Sequence, residues 1–138
     1  MISTQKTIGQ ETGCSGIGMF RGENTTLHFK PAPLNSGISF VRVDLPDRPR
    51  ILAHVHSLSS NYRRIFLKHK NAEVECIEHL MAALSGLGID NIEIEIHGRE
   101  VPAGDGRAQF FVELLKKAGI VDLGGAKRVF VVKESLVA

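Results

Sequence analysis

Hydrophobic positions along the chain follow two periods, and each predicts a kind of element. Between Val74 and Gly88, Ile77, Leu80, Met81, Leu84 and Leu87 recur at helical spacing. That stripe predicts an amphipathic helix of about three turns. Gly88 stands where a left-handed cap is wanted, because glycine has no Cβ to clash at positive φ. A second helix is predicted over about Arg107–Ala118, with Phe111, Leu114, Leu115 and Ala118 on one face. Asp105 is its expected carboxylate cap; Lys116 and Lys117 suit the negative end of the dipole, and Gly119 ends it.

The other period is that of a strand. Ile92, Ile94 and Ile96 point one way and Glu93 and Glu95 the other, which predicts an antiparallel strand with one wet face. Thr25–Lys30 alternates around Leu27 and Phe29, and Ile38–Val43 places Ile38, Phe40 and Arg42 on one side. Thr4–Gln10 is a short edge strand, and Ile51–Leu58 a strand carrying His54 and His56 on one face. Arg63–Lys70 is a basic strand face or turn. Pro31–Gly37, Pro46–Arg50 and Gly98–Gly106 are turns and loops, and glycine-rich Gly13–Gly22 a tight connection before the next strand. Lys127–Ala138, after the Gly124-Gly125 break, is expected to be a strand apolar on both faces. The pattern gives an α+β fold: a two-layer sandwich, a mainly antiparallel sheet with two helices packed on one face. Residues 1–126 form one domain, and 127–138 a linker strand or the opening of a second.

Composition narrows the function classes. The chain has 138 residues, enough for one domain with a core. A net charge of +2, with aromatics not interleaved among basic residues, argues against nucleic acid as partner. No apolar run approaches the roughly 18–20 residues of a membrane span, and Met1–Gln10 lacks a signal-peptide core. A cytoplasmic protein is expected. Cys14 and Cys76 are far apart and fit two reduced structural thiols better than a bridge.

Chemistry has several candidate seats. Gly13–Gly22 lacks G-x-G-x-x-G spacing and a following helix, so a tight connection outweighs a phosphate loop. His54 and His56 share a face without a visible third ligand, so a solvated strand face outweighs metal ligation. Arg63–Lys70 is a solvated face or a contact for an anionic ligand. Glu78 and His79 are adjacent in the first predicted helix. A carboxylate beside an imidazole suits a base next to a metal ligand, though such a pair alone is more often exposed structure.

The line around that helix resembles a known family. Glu78-His79-Leu80-Met81-Ala82-Ala83-Leu84-Ser85-Gly86-Leu87-Gly88-Ile89-Asp90-Asn91 is similar, almost unbroken, to the signature of the zinc-dependent UDP-3-O-acyl-N-acetylglucosamine deacetylases of lipid A synthesis. Gly16-Ile17-Gly18 with Gly22, Pro31-Ala32-Pro33 through Asp44, Glu100-Val101-Pro102 and Asp105-Gly106 follow in the family's order. The likeness covers essentially all 138 residues and corresponds to the family's N-terminal half.

The resemblance implies roles. His79 is one zinc ligand and Glu78 the general base acting on water at the metal. The family's other two protein ligands, a His-x-x-x-Asp pair, and its general-acid histidine belong to a second domain, so this chain holds one ligand for Zn2+. Phe20 stands where the family carries a histidine, and Arg63-Arg64-Ile65-Phe66-Leu67 replaces a threonine- and cysteine-containing stretch. Glu75 and Cys76 replace a small hydroxyl residue before the helix, which leaves that helix without an obvious cap. The first expectation is a deacetylase half acting on a UDP-sugar lipid, completed by a C-terminal deacetylase domain. The alternatives are a non-catalytic binding or regulatory homologue and a truncated remnant.

Overall fold

The computed structural model describes residues 3–59 and 63–135. In chain order it has β1 (Thr4–Ile8), β2 (Thr12–Ile17), β3 (Asn24–Pro31), β4 (Ile38–Arg42), β5 (Arg50–Leu52), β6 (Leu58–Ser59), β7 (Phe66–His69), β8 (Ala72–Glu75), α1 (Glu78–Leu87), β9 (Ile92–His97), α2 (Ala108–Lys117) and β10 (Ile120–Ala126). A five-stranded sheet in the order β2-β3-β9-β4-β5 carries the fold. A ribbon of β1 with β10 and a small β6-β7-β8 sheet flank it.

Alternation decides which face of the large sheet is dry. Leu27, Phe29, Phe40, Ile92, Ile94 and Ile96 are all buried on one side. Leu80, Ala83 and Leu84 of α1 and Phe111 and Leu115 of α2 join the same core, so the helix layer covers that side. Burying each large side chain contributes roughly 1.5–3 kcal/mol before chain entropy is counted. The other face is polar: Glu95 is ion-paired to Lys30 (2.8 Å) and Arg48, and Glu93 to Arg50. The two-layer α+β expectation therefore holds.

Several local expectations change. β9 is antiparallel to β3 but parallel to β4, since α1 lies on the route from β4 to β9 and lets the chain return in the same direction. Val74 and Glu75 belong to β8, and α1 begins only at Glu78, because Cys76 turns the chain at φ 61°. The glycine-rich stretch is a connection only in part: Thr12–Ile17 pairs residue by residue with β3 as β2, and Gly18–Glu23 makes the tight turn between them. Ile51–Leu58 is not one strand, because a 3-10 turn at Val55–Ser57 separates β5 from β6. β7 starts at Phe66 and buries Phe66 and Leu67, leaving Ile65 exposed. Asp105 does not cap α2; the cap position is Arg107, whose N–H Asp105 Oδ1 accepts at 3.0 Å two residues ahead of it. Gly88 does end α1 in the left-handed region, at φ 68°.

The C-terminal part differs most. Gly124 and Gly125 lie inside β10, which pairs antiparallel with β1. From Lys127 to Ser135 the described chain is neither strand nor helix, and Val129 to Val132 are exposed, Phe130 at 90%. An apolar strand needs a second surface to bury it, and none of the described residues supplies one here. Residues 136–138 of the expected strand lie outside the described residues.

The family-like motifs away from α1 hold these layers together. Asn91, buried between α1 and β9, accepts the Gly37 N–H at 3.0 Å and donates to Gln5 Oε1 at 3.0 Å. Gln5 in turn donates to Asn35 Oδ1 and to the Ala126 carbonyl. One amide network thus ties β1, β10, the Pro31–Gly37 turn and the start of β9. Arg42 forks onto both oxygens of Asp44 and donates to the Glu73 carbonyl, joining the large sheet to β8.

Candidate active site

The site grows from the turn between β8 and α1. Cys76 N–H donates to the Ile65 carbonyl at 3.1 Å, and Ile65 N–H donates to Glu78 Oε1 at 2.6 Å. The strand end at 65 and the helix start at 78 are thereby clasped from both directions. Ile77 occupies the cap position without a side-chain cap bond, as the absence of a hydroxyl there predicts. Glu78 in the first turn is favourable to the helix dipole. His79 follows it, exposed.

Both open on a cleft of ≈ 270 Å³ whose walls include Phe20, Arg64, Cys76 and Glu100. The structure thus brings Glu78 and His79 to one cavity with the glycine-rich segment and the loop after β9. It does not bring His54 and His56 there. These lie exposed at the 3-10 turn with ring centroids 4.7 Å apart, and His54 Nδ1 accepts the His56 N–H. Once the chain leaves the strand, the spacing that aligned them on one face no longer applies.

Two buried carboxylates underlie the cleft. Glu100 is 1% exposed and Glu75 fully buried. Burial works against charge on Glu100, but the N–H groups of Phe20 and Arg21, each at 2.9 Å, hold its carboxyl below the usual carboxylate range. The Cys76 thiol bonds the same carboxylate. Burial first, then that bond and the nearby charges of Glu100, Glu75 and Glu78, push the thiol up to about 12, so it stays protonated. Burial alone lifts Cys14 to about 11. Both cysteines are free thiols. Glu75 meets Arg21 on one oxygen and Arg64 on the other (2.8 Å), with Arg99 3.6 Å away.

The glycines of the resemblance have a physical reason here. A Cβ on Gly18 would sit 2.3 Å from Glu100 Oε2, and one on Gly16 2.9 Å from Pro102. The hairpin must lie directly on the Glu100–Pro102 segment to deliver Phe20 and Arg21 to Glu100. Sequence reasoning missed the Glu75–arginine cluster. Its signal was a charged residue, Glu75, between Val74 and Cys76 in a stretch otherwise fit for burial.

Donor chemistry sets what the site can hold. His79 is an accessible imidazole beside a carboxylate, which fits one ligand and one base of a metal centre. Catalytic zinc takes about three protein ligands. Among the described residues no group of three or more His, Cys, Asp or Glu side chains could hold a metal. The one imidazole and one carboxylate here fit part of such a site. No helix among the described residues is long and apolar enough to cross a membrane.

Comparison with known proteins agrees with this geometry. The sequence profile described as LpxC: UDP-3-O-acyl N-acetylglycosamine deacetylase matches residues 5–138. A UDP-3-O-acyl-N-acetylglucosamine deacetylase of Citrifermentans bemidjiense is 42% identical over 130 residues, 94% of this chain and 43% of that protein. One from Bdellovibrio bacteriovorus is 41% identical over 118 residues, 86% of this chain and 39% of that protein. A bifunctional enzyme LpxC/FabZ of Chlorobaculum tepidum is 38% identical over 136 residues, 99% of this chain and 29% of that protein. The chain spans less than half the length of these curated relatives. With the profile covering nearly every residue and Glu78 and His79 converging on one cleft, the chain belongs to the UDP-3-O-acyl N-acetylglycosamine deacetylase family of lipid A biosynthesis.

Proposed function

We propose that this chain supplies the Glu78–His79 half of a zinc-dependent deacetylase that removes the acetyl group of a UDP-3-O-acyl-N-acetylglucosamine. The observation that carries the reading is the clasped start of α1. Ile65 N–H fixes Glu78 Oε1, which leaves Oε2 to take a proton in the cleft while His79 stands exposed beside it. Zinc, when bound, lowers the pKa of its water toward about 7. In this reading His79 is the ligand from this chain, and Glu78 Oε2 takes the proton as the acetamide carbonyl is attacked. The two further ligands and the general acid come from a C-terminal deacetylase domain that begins with the 127–138 segment. The setting is the bacterial cytoplasm, as the family likeness implies.

A second reading has its own observation. Phe20 occupies the position where the family carries a histidine, and the Arg64 guanidinium carbon lies 4.4 Å from its ring centroid. A non-catalytic homologue that keeps the fold as a binding or regulatory domain would tolerate that exchange.

The test is to express the chain with and without a C-terminal half carrying the His-x-x-x-Asp pair, then measure zinc content and acetate release. The mixture is expected to bind zinc and deacetylate. Glu78→Gln is expected to lower kcat by roughly 10²–10⁴-fold, the span of a lost general base. A mixture that takes up zinc but releases no acetate would favour the binding homologue; one that takes up none would end the catalytic reading.

A further inference from the structure

Glu75 holds two arginines, one on each carboxylate oxygen. Arg21 meets its Oε1 and Arg64 its Oε2, and both do so through Nε. A guanidinium that serves a carboxylate alone commonly docks as a fork, with two parallel N–H groups on two oxygens. Arg42 does so here on Asp44. Arg21 and Arg64 do not. Their four terminal nitrogens donate no hydrogen bond among the described residues. These side chains are also 30% and 23% exposed, so the terminal nitrogens are within reach of solvent.

The pair is also pre-organised. The Arg64 guanidinium lies 4.4 Å from the Phe20 ring centroid and 5.0 Å from that of Phe66, which fixes its plane. The Arg21 backbone is held by its N–H on Glu100. Among the carboxylates that line the cleft, Glu100 accepts the Phe20 and Arg21 N–H groups, and Glu78 accepts Ile65 N–H on Oε1 only. Arg63, exposed on the same cleft, adds a further positive charge.

We propose that Arg21 and Arg64, tied to the two oxygens of Glu75, form a twin fork that binds a diphosphate group at the edge of the cleft. Each guanidinium offers its terminal N–H pair to one phosphate, and their common carboxylate sets the separation. A bidentate guanidinium matches phosphate oxygens in a way a lysine ammonium does not. Binding by the fork is independent of catalysis; its assignment to the diphosphate of a nucleotide sugar rests on the reading above.

Inorganic pyrophosphate titrated into this chain, followed by calorimetry and by the Nε–H NMR signals of Arg21 and Arg64, tests the fork. Saturable 1:1 binding is expected, tighter than for inorganic phosphate, with both Nε–H signals shifting. Arg64→Lys and Arg21→Lys are each expected to weaken it by about tenfold or more, the worth of one charge-assisted bond. Far-UV circular dichroism and the urea midpoint show whether each variant is folded. If one variant does not fold, the other and the wild-type Nε–H shifts still decide. No saturable pyrophosphate binding, or folded lysine variants that bind as the wild type does, would overturn the proposal. UDP-N-acetylglucosamine separates the two claims: if pyrophosphate binds through both arginines and the nucleotide sugar does not, the fork stands and the assigned substrate falls.

Discussion

At the scale of single residues, Glu100 links the sequence motif to stability. Its carboxylate accepts N–H groups from the hairpin that packs on it, and they keep it ionised in the fold although burial opposes the charge. The sign follows from the lowered pKa. The stabilisation is fully present above the unfolded value, roughly 4.3, and is lost as pH falls through the lower folded value. Asp44, where burial is outweighed by the Arg42 fork, acts in the same direction. The urea midpoint is therefore expected to fall on acidification below about pH 5. Glu100→Gln should be less stable at neutral pH and lose less on acidification. A variant with the same pH slope as the wild type would show that Glu100 carries no part of that dependence.

At the scale of elements, the two helices differ in how they begin. α1 has no side-chain cap, but Glu78 and the clasp to Ile65 anchor its first turn. α2 has neither a capping bond nor an acidic residue in its first turn, and Arg107 sits at the cap in extended conformation, φ −129° and ψ 153°. That backbone already suits a serine cap. Arg107→Ser should stabilise the domain by about 0.5–1 kcal/mol net, since the exposed Arg107–Asp105 pair it removes contributes little. Thermal unfolding checks this, and a lower Tm would show the pair to matter more than the cap. The face of α2 was legible from spacing: Phe111, Leu115 and Ala118 are buried as expected. Its start was legible to within one residue, but its cap was not: Asp105 is the capping type, and only the backbone angles put Arg107 at that position. β10 was missed because two glycines read as a break, whereas pairing with β1 holds them in a strand.

At the scale of the whole molecule, the proposed zinc ligand is not a residue that carries stability. His79 is exposed, so His79→Ala should change the unfolding free energy by no more than about 0.5 kcal/mol. Zinc added to this chain alone should bind weakly and leave Tm unchanged at one equivalent, since one imidazole is far from about three ligands. A tight stoichiometric zinc, measured by metal analysis after gel filtration, would contradict this and turn attention to His54 and His56. By itself the sequence determined the α+β class, the buried faces of the two helices and of β3 and β9, the family, and the candidate pair Glu78–His79. All of these are local periods or contiguous motifs, and a linear reading carries them in full. Tertiary structure alone decided that β9 lies parallel to β4 and that the glycine-rich stretch is a strand ending against Glu100. It also placed Arg21 and Arg64 on buried Glu75. The last depends on residues 54 and 11 positions away in the chain meeting Glu75 at one carboxylate, and like the other two it joins distant segments that no local pattern encodes.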